Sequence, residues 1–574
     1  MTAVDVVARV AAAFDRIEAA DRPEIWISLR DRAAALAEAS AVDPALPLAG
    51  LVFAVKDNID VYGLPTTAGA PSYAYRPEAD ATAVARLRAA GAVVIGKTNL
   101  DQFATGLVGT RSPYGAVRNA WDPVRISGGS SSGSAVAVAL GLVDFALGTD
   151  TAGSGRVPAA LNGIVGVKPT RGLVPVTGVV PACYSLDCVT VFARDLALGR
   201  TVAELMEGVD PADPLSRPSS PSVAAPARPR LAVPTDEHLA DLAPGWREAF
   251  EAAVRRFAAI GAEIVEVDVT PLLEAASLLY GGAFVAERYA AVGAHLEKHA
   301  DLIGSDLDPT VAGIVLAGKE KTAADWAADA ARLAALDAAG RAALDGCDAL
   351  LTPTTTWHPT LAEVAADPVG ANARMGRFTN FANLLDYASL AVPAGFAGGL
   401  PFGVMLTGAA FTDRALADLA RRFANPGIDL FVVGAHLTGQ PLNVQLAAAG
   451  GTLVAATATA PSYALHVLDT DPPKPGLVRV GDGGRSIAGE LWRLPAAGFG
   501  TFVADVPAPM AIGRVTLIDA TSVSGFLVEP AALRNAPDIS HLGGWRAYLA
   551  GTAGTAETAG TAGTAGTAGT AVQG

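Results

Sequence analysis

Apolar and polar residues alternate along the first part of the chain in a way that predicts helices interleaved with short buried strands. Before residue 45, Ala, Val and Leu recur at three- and four-residue intervals, which predicts two helices. The continuously apolar runs 51–55 and 92–95 predict short buried strands. Further helical patterns cover 82–90, 134–142 and 413–423. This alternation predicts an α/β fold with a mixed or largely parallel central sheet.

The pattern changes after the Asn-Pro-Gly of residues 425–427. Short alternating runs at 477–480, 490–494, 514–518 and 523–528 predict β-strands. We therefore predict a first domain over 1–427 and a small β-rich α+β domain over 428–550. From residue 551 the chain repeats Thr-Ala-Gly, which predicts a low-complexity disordered tail over 551–574. Between 211 and 234, Pro, Ser and Ala predict a surface connection.

Charge and composition exclude several classes of protein. The formal net charge of −15 repels phosphate backbones, and no basic stripe interleaved with aromatics is present, so no nucleic-acid partner is expected. The uncharged stretches are too short, or too broken by Pro and Gly, to predict a membrane span. The first twenty residues are charged and amphipathic, so we expect no secretory signal and a cytoplasmic location. Three cysteines without a Cys-x-x-Cys pair predict neither a disulfide framework nor a zinc site.

Two familiar catalytic or binding patterns occur but have weak context. Residues 91–98 match the phosphate-binding loop pattern, yet the residues between the two glycines are themselves a predicted strand, which favours a buried strand. Residues 129–133 match the nucleophile elbow of hydrolases, which would make Ser131 the nucleophile. All seven histidines follow it in the chain, but none has a local context that marks it as the partner base. The elbow remains an alternative.

Three other segments place glycine, serine and a lysine where a core would take larger apolar groups. Lys56 directly follows a predicted buried strand, and long cations seldom enter a core unless they are paired or functional. Residues 127–134 are almost entirely Ser and Gly, and residues 148–159 form a second small-residue segment. Either of the last two alone is typical of a flexible turn. Together with Lys56 they favour a catalytic site.

These residue types suit acyl transfer to water. Serine is a poor nucleophile until a base removes its proton, and lysine is such a base only when burial populates the neutral amine. A second serine hydroxyl can relay the proton, because it donates and accepts at once. The backbone N–H groups of Thr151, Ala152 and Gly153 are candidates for an oxyanion hole, since their small side chains allow close approach. We expect neither a metal nor a cofactor.

The three segments resemble the amidase signature family, whose hallmark is a Ser-Ser-Lys triad on an α/β/α core with a mixed sheet. Matched by motif position, the resemblance implies Lys56 as base, Ser130 as bridging serine after a cis peptide bond, and Ser154 as acyl-forming nucleophile. The motif covers about residues 50–200, and segments 390–395 and 399–403 also match. The chain has Ser132 where glycine is usual and Ala152 in place of a glycine, which keeps both side chains small.

Within this family the chain resembles the allophanate hydrolase branch, at segments 103–112, 433–437, 472–476 and 543–548. Ordinary amidases lack the C-terminal domain in which the last three lie. The resemblance implies hydrolysis of the amide of allophanate, a small anionic carboxylated urea, to ammonia and N-carboxycarbamate, which ends as carbon dioxide and ammonia. The alternatives are general amidase activity, a noncatalytic scaffold and one component of a glutamine-dependent amidotransferase.

An anionic substrate needs a fixed cation, and the arginine fork suits a carboxylate. Tyr280 and Arg288 are eight positions apart, about 80° around an ideal helix, so both can face one pocket. The branch resemblance also implies a substrate-binding Tyr and Arg at this spacing. The alternative is a surface arginine paired with Glu287 or a nearby acid. We expect Arg156, beside the nucleophile, to brace its loop.

The resemblance also bears on the C-terminal domain and on partners. It implies a role for that domain in decarboxylating N-carboxycarbamate. His436 lies in a matching segment and is the candidate functional residue there, although a structural histidine is equally consistent. No lysine has a biotin-attachment context, so the sequence predicts that the urea carboxylase is a separate protein. The branch resemblance also implies a homodimer.

Overall fold

A computed structural model describes residues 5–219, 223–470 and 473–560 of the chain, with the backbone alone described from 553 onward. The chain divides into two compact units, Met1–Phe423 and Ala424–Gly574. Among the described residues, no helix has the length and apolar character needed to cross a membrane.

The first unit contains eleven strands and fifteen α-helices within the described residues. The strands are Trp26–Leu29 (β1), Val52–Lys56 (β2), Val93–Thr98 (β3), Phe145–Asp150 (β4), Val165–Lys168 (β5), Cys188–Ala193 (β6), Arg230–Pro234 (β7), Glu263–Val267 (β8), Ala349–Pro353 (β9), Ala388–Ala397 (β10) and Leu400–Gly408 (β11). The helices are Val6–Ala20 (α1), Arg32–Ala41 (α2), Thr82–Ala89 (α3), Ser132–Ala139 (α4), Val157–Asn162 (α5), Leu196–Met206 (α6), Trp246–Ala259 (α7), Thr270–Gly281 (α8), Ala286–Lys298 (α9), Pro309–Ala317 (α10), Ala323–Ala343 (α11), Leu361–Ala366 (α12), Pro368–Met375 (α13), Asn380–Leu384 (α14) and Asp413–Ala424 (α15).

All eleven strands of this unit join one sheet in the order β1-β3-β2-β4-β6-β5-β10-β11-β9-β7-β8. Strand β2 runs parallel to β3 and to β4, and β7 runs parallel to β8 and β9, whereas the centre of the sheet is antiparallel. The predicted α/β core with a mixed sheet is therefore confirmed.

The residues of β2 explain its central place. All five of its residues are buried, as expected for a strand covered on both faces. Phe53 stacks on Phe145 of β4 with ring centroids 5.0 Å apart, which fixes the register of the two parallel strands. Because parallel neighbours end at the same edge of a sheet, Lys56 at the end of β2 lies near Thr149 at the end of β4. This edge positions the candidate site.

The second unit is β-rich. Its elements are Ile428–Val432 (β12), Asn443–Ala448 (α16), Thr452–Ala458 (β13), Tyr463–Leu468 (β14), Lys474–Arg479 (β15), Ala488–Leu494 (β16), Ala496–Ala504 (α17), Met510–Thr516 (β17), Ser522–Val528 (β18) and Trp545–Gly560 (α18). A five-stranded sheet has the order β13-β16-β12-β18-β17, and β14 pairs with β15. Leu430, Phe431 and Val432 of the central strand β12 are fully or almost fully buried in the core.

Three elements depart from the sequence predictions. Strand β1 lies between the two predicted N-terminal helices, where it pairs with β3. Strand β7 occupies the last five residues of the predicted surface connection 211–234, and four residues of the strand are buried. Helix α18 continues to Gly560, so the first ten residues of the predicted tail are helical. The rest of that predicted tail, residues 561–574, lies outside the described residues.

Candidate active site

Three side chains from separate segments form one line of short contacts. The Lys56 Nζ atom lies 2.7 Å from the Ser130 Oγ atom, and that oxygen lies 2.9 Å from the Ser154 Oγ atom. The Ser154 Oγ atom is also 3.4 Å from the carbonyl oxygen of Gly106. All three side chains are buried. A proton can therefore pass between the outer two groups through the middle hydroxyl.

Lys56 is placed where its amine loses its charge easily. The residue is fully buried, and burial lowers the pKa of its amine from 10.5 to about 7, against the opposing effect of Asp101, Asp187 and Asp150. In the described part of the chain, no carboxylate lies within ion-pair distance of this amine. Near neutral pH a substantial fraction of the amine is therefore neutral and able to accept a proton.

Thr149 is a site residue that the sequence analysis did not single out. Its hydroxyl oxygen lies 2.8 Å from the Lys56 Nζ atom and also accepts a hydrogen bond from the Asn58 side chain at 3.3 Å. Because β2 and β4 are parallel neighbours, this contact follows from the sheet register. The hydroxyl holds the amine toward Ser130 without supplying a negative charge.

The bridging serine is held by a tight loop. The Gly129–Ser130 peptide bond is cis. A side chain at Gly129 would collide with the Asp101 carboxylate, so only glycine fits there. The Asp101 N–H also donates to the carbonyl oxygen of Ser130 at 3.0 Å.

Asp101, which the sequence analysis also did not single out, organises this loop. Its two carboxylate oxygens accept the backbone N–H groups of Val108, Gly109 and Arg111 at 3.0–3.2 Å. The carboxylate is fully buried, and burial raises its pKa above the ordinary value. It ties the 106–111 loop, which contacts Ser154, to the bridging serine.

The nucleophile loop is held by an ion pair behind it. Arg156 donates two hydrogen bonds to the Asp150 carboxylate, at 2.9 and 2.8 Å, and both side chains are buried. Burial favours the neutral acid, but Arg156, Lys168 and the Gly155 N–H together hold the pKa of Asp150 below its usual value. The same carboxylate accepts the backbone N–H groups of Gly153 and Gly155. Arg156 therefore braces the loop from behind.

The predicted oxyanion donors differ in availability. The Gly153 N–H is already donated to Asp150, at 2.9 Å. No acceptor for the backbone N–H groups of Thr151 and Ala152 is found among the residues that the structure describes. The Thr151 hydroxyl bonds to Asp187, another buried acid, whose pKa burial raises to about 6. Two of the three predicted donors are thus free to bind a negatively charged oxygen.

The Arg288 side chain contacts Tyr280 and the segment that contains Thr105 and Gly106. An Arg288 guanidinium nitrogen donates to the Tyr280 hydroxyl at 3.2 Å, and another donates to the Thr105 hydroxyl at 2.9 Å. Arg288 is only 1% exposed. Thr105 precedes Gly106, whose carbonyl oxygen lies near Ser154. The two predicted substrate-binding residues therefore contact each other. Arg288 is also hydrogen-bonded to Thr105, the residue before Gly106, which contacts Ser154.

The predicted reason for this contact, that both residues lie on one ideal helix, was wrong. Tyr280 lies in α8 and Arg288 in α9, and a break at Gly282 with a 3₁₀ turn over Ala283–Val285 separates the helices, so they do not share one ideal helix. The surface ion-pair alternative also fails, because Arg288 is buried and Glu287 accepts instead from the backbone N–H and hydroxyl of Ser185.

The two weaker motifs have structural explanations. Residues 93–98 form the fully buried strand β3, so they leave no exposed loop for a phosphate. Ser131 donates its hydroxyl proton to the carbonyl oxygen of Thr149 at 3.2 Å, and no histidine of the described chain is hydrogen-bonded to it. The elbow alternative therefore lacks its base.

His436 lies in a separate cavity of the second unit, of about 610 Å³. Its ring stacks on Phe526 with centroids 5.0 Å apart, and its Nε2 atom lies 3.0 Å from the Gln445 side-chain oxygen. Burial lowers the pKa of this imidazole. Lys474 and Asp505 also line the cavity. An imidazole and an ammonium group facing one cavity suit a small anion and proton transfer.

One group of potential metal ligands lies close together in the described residues: Glu237, His238 and Asp268. His238 is already bonded to Asp268, with the Nε2 and carboxylate oxygen atoms 2.9 Å apart. Both acids are exposed. This hydrogen bond accounts for the arrangement of His238 and Asp268.

Comparisons with known proteins agree with the two-unit division. A family model described as Amidase matches residues 8–417, and one described as the allophanate hydrolase C-terminal domain matches residues 428–550. The solved structure of Kluyveromyces lactis allophanate hydrolase is 40% identical, with a TM-score of 0.70, and the match covers 96% of this chain and 97% of that one.

Two curated relatives add detail. Urea amidolyase of Saccharomyces cerevisiae is 43% identical over 88% of this chain, which spans only 30% of that longer protein. One component of the glutamyl-tRNA(Gln) amidotransferase from Thermus thermophilus is 39% identical, over 66% of this chain and 85% of its own length. The chain therefore belongs to the amidase family, is an amidohydrolase, and carries the allophanate hydrolase C-terminal domain.

Proposed function

We propose that this protein hydrolyses allophanate. The observation that carries the proposal is the continuous line of contacts from the buried Lys56 amine through Ser130 to Ser154. The Arg288 guanidinium lies close to this line, because it is hydrogen-bonded to Thr105, the residue before the Ser154 contact Gly106. A buried cation is required by a substrate that is both an amide and a carboxylate. Similarity to an allophanate hydrolase along nearly the whole chain supports the same substrate.

In the first half of the reaction, Ser154 is the nucleophile. Its proton passes to Ser130 as the Ser130 proton passes to the neutral Lys56 amine. The Ser154 oxygen bonds to the urea carbonyl carbon of allophanate, and the N–H groups of Thr151 and Ala152 bind the oxyanion that forms. The bond to the terminal nitrogen then breaks, and ammonia leaves with the proton returned along the same line.

In the second half, water replaces ammonia. Water gives a proton through Ser130 to Lys56 and attacks the acyl-enzyme carbonyl carbon. The bond to Ser154 then breaks, and the proton returns along the same line to the Ser154 oxygen. The product is N-carboxycarbamate. Throughout, Arg288 and Tyr280 hold the substrate carboxylate, so that the carbonyl carbon stays within reach of Ser154.

Two observations weigh against the alternatives. The amidotransferase component covers only 66% of this chain, so it does not explain the C-terminal domain. A general amidase needs no buried arginine beside its nucleophile loop, and burying a guanidinium is costly without an anionic ligand or several acceptors. We therefore favour a small anionic amide.

A second activity is proposed for the C-terminal unit, supported by the cavity that His436 and Lys474 line. N-carboxycarbamate carries two carboxylates, which suits Lys474. In decarboxylation, the bond between nitrogen and one carboxylate carbon breaks, carbon dioxide leaves, and the nitrogen takes a proton. We assign that proton to His436. The carbamate left over breaks down to carbon dioxide and ammonia.

The substrate also implies a supplier. Relatives named urea amidolyase are longer than this chain, and we propose a functional link to a urea carboxylase that makes allophanate. That the chain forms a homodimer and that it is cytoplasmic stay predictions of the sequence.

The pH dependence tests the proposed base. Because neutral Lys56 accepts the proton and its pKa is about 7, kcat/KM should rise as pH increases through about 7 and then level off. Ammonia release between about pH 6 and 9 measures this profile. Lys56→Met, which keeps much of the side-chain volume but has no base, should lose activity throughout. A flat wild-type profile over that range would contradict the assignment.

Replacing the nucleophile tests the triad. Ser154→Ala should lower kcat for ammonia release from allophanate by roughly 10⁴-fold or more, because no acyl-enzyme forms. Ser131→Ala is the matched control: it removes a neighbouring buried hydroxyl and should lose far less activity. Unchanged thermal unfolding would show that both variants fold. Equal losses in the two variants would reopen the elbow alternative.

Removing the substrate cation tests specificity. Arg288→Ala should raise KM for allophanate by roughly 10- to 100-fold, the value of a charge-assisted hydrogen bond. Hydrolysis of a neutral amide of similar size is the control, and it should change little. An equal loss with both substrates would mean that Arg288 supports the loop rather than the carboxylate.

The C-terminal assignment needs a readout of its own. His436→Ala should leave the first ammonia release intact and let N-carboxycarbamate accumulate, which ¹³C NMR of labelled substrate detects. His541→Ala is the control, since that histidine is exposed and outside the cavity. If carbon dioxide appears at the wild-type rate in His436→Ala, the histidine is structural.

A further inference from the structure

A large cleft of the first unit is lined by Tyr280 and by several basic side chains. Its volume is about 1110 Å³, and four basic side chains line it, Arg111, Lys321, Arg374 and Arg377. Asp241 is the acidic side chain among the lining residues. A cleft of this size fits a drug-sized ligand and is far larger than allophanate needs. It is therefore wider than a reaction pocket for that substrate.

These basic groups are only partly neutralised. Asp241 lies 3.5 Å from Arg377, both side chains being at least 30% exposed, which is a weak surface pair. Arg374 stacks over the Trp357 ring at 4.3 Å and donates to a backbone carbonyl, so it keeps its charge. Lys321 forms no ion pair within the described residues, although the exposed Asp325 carboxylate lies near enough to be affected by its charge. Arg111 is buried, and its charge acts on Asp101. The other three basic groups and Asp241 still leave the cleft with a net positive charge, on a chain whose formal charge is −15.

The cleft adjoins the candidate site at two of its lining residues. Tyr280 lines the cleft, and its hydroxyl accepts a hydrogen bond from Arg288. Arg111 also lines it and donates to the carbonyl oxygen of Thr105, whose hydroxyl accepts from Arg288. These hydrogen bonds place part of the cleft lining beside the proposed carboxylate site.

We propose that this cationic cleft captures small carboxylate-bearing amides and delivers them to Arg288. The inference rests on the proposed function and adds an approach route to it. An acidic protein repels an anionic substrate on average, so a local patch of the opposite sign is needed to raise the substrate concentration at the mouth of the site. Low-dielectric walls focus such a field, and the effect on association reaches roughly 10- to 1000-fold.

A graded charge series at one residue tests this proposal. Lys321→Gln and Lys321→Glu change the charge stepwise at a residue that contacts none of the triad. We expect kcat/KM for allophanate to fall about 3-fold and then about 10-fold at low ionic strength, through KM. The differences should shrink in high salt, because screening shortens the range of the field to a few ångströms. Hydrolysis of a neutral amide should not follow the series.

The matched control is Arg255, an exposed arginine of α7 that does not line the cleft. Arg255→Gln and Arg255→Glu make the same charge changes to the whole protein and should leave kcat/KM unchanged. If both series fall equally, net charge rather than the cleft matters. If the Lys321 series is flat, the proposal is wrong.

A binding measurement separates this proposal from the proposed function. Calorimetric Kd values for oxamate, a small anionic amide, need no turnover and should weaken along the same Lys321 series. If the wild type does not hydrolyse allophanate but oxamate binding follows the charge, the proposed substrate is wrong and the capture cleft stands. If allophanate is hydrolysed while both kcat/KM and the oxamate Kd ignore the charge, the capture cleft is wrong and the proposed function stands.

Discussion

The contact between the Lys56 amine and the Ser130 hydroxyl, at 2.7 Å, is the interaction on which the site depends. It works as a base only if the amine is neutral, which requires that no acid form an ion pair with it. Three buried carboxylates lie near enough to affect its pKa, yet each has other partners. Asp101 accepts three backbone N–H groups, Asp150 binds Arg156, and Asp187 binds Thr151 and two backbone N–H groups. Desolvation therefore dominates at Lys56.

A second buried lysine has a carboxylate partner. Lys97 lies on the neighbouring strand β3, and its amine is 3.1 Å from the Asp57 carboxylate, with both side chains fully buried. In the register of the two strands Lys97 pairs with Val55 and Lys56 pairs with Thr98, so the two lysines extend to opposite faces of the sheet. Lys97 therefore forms an ion pair, whereas Lys56 donates to the hydroxyls of Ser130 and Thr149. Burial lowers the pKa of both amines, so the two sites differ in the partner of each amine and not in burial.

Small residues let backbone and side chains approach closely around this contact. Gly129 leaves room for the Asp101 carboxylate, and Gly153, at a φ of 138°, leaves room for the Thr379 side chain. Larger residues at either place would separate the bridging serine or the nucleophile from the elements that hold it. Arg156 also donates to the Thr379 carbonyl oxygen and to the Asn383 side-chain oxygen, which links the Ser154 loop to the distant segment that follows α13. The geometry of the candidate site is thus built from residues more than two hundred positions apart.

Local pattern predicted strands β2 and β3 and several helices, but not the other nine strands described in the large sheet. Small-residue segments marked both serine loops, and the resemblance to the amidase signature family implied that Lys56, Ser130 and Ser154 form one triad. Strands β1 and β7 were missed, because short strands next to Pro-rich or helical segments have little periodicity and are stabilised by neighbours distant in the chain. Asp101 and Thr149 were missed for a similar reason, since sheet register and loop packing bring them to the site. Only the tertiary structure decided that the acids near Lys56 are bound by other partners, and so why that amine has no ion pair.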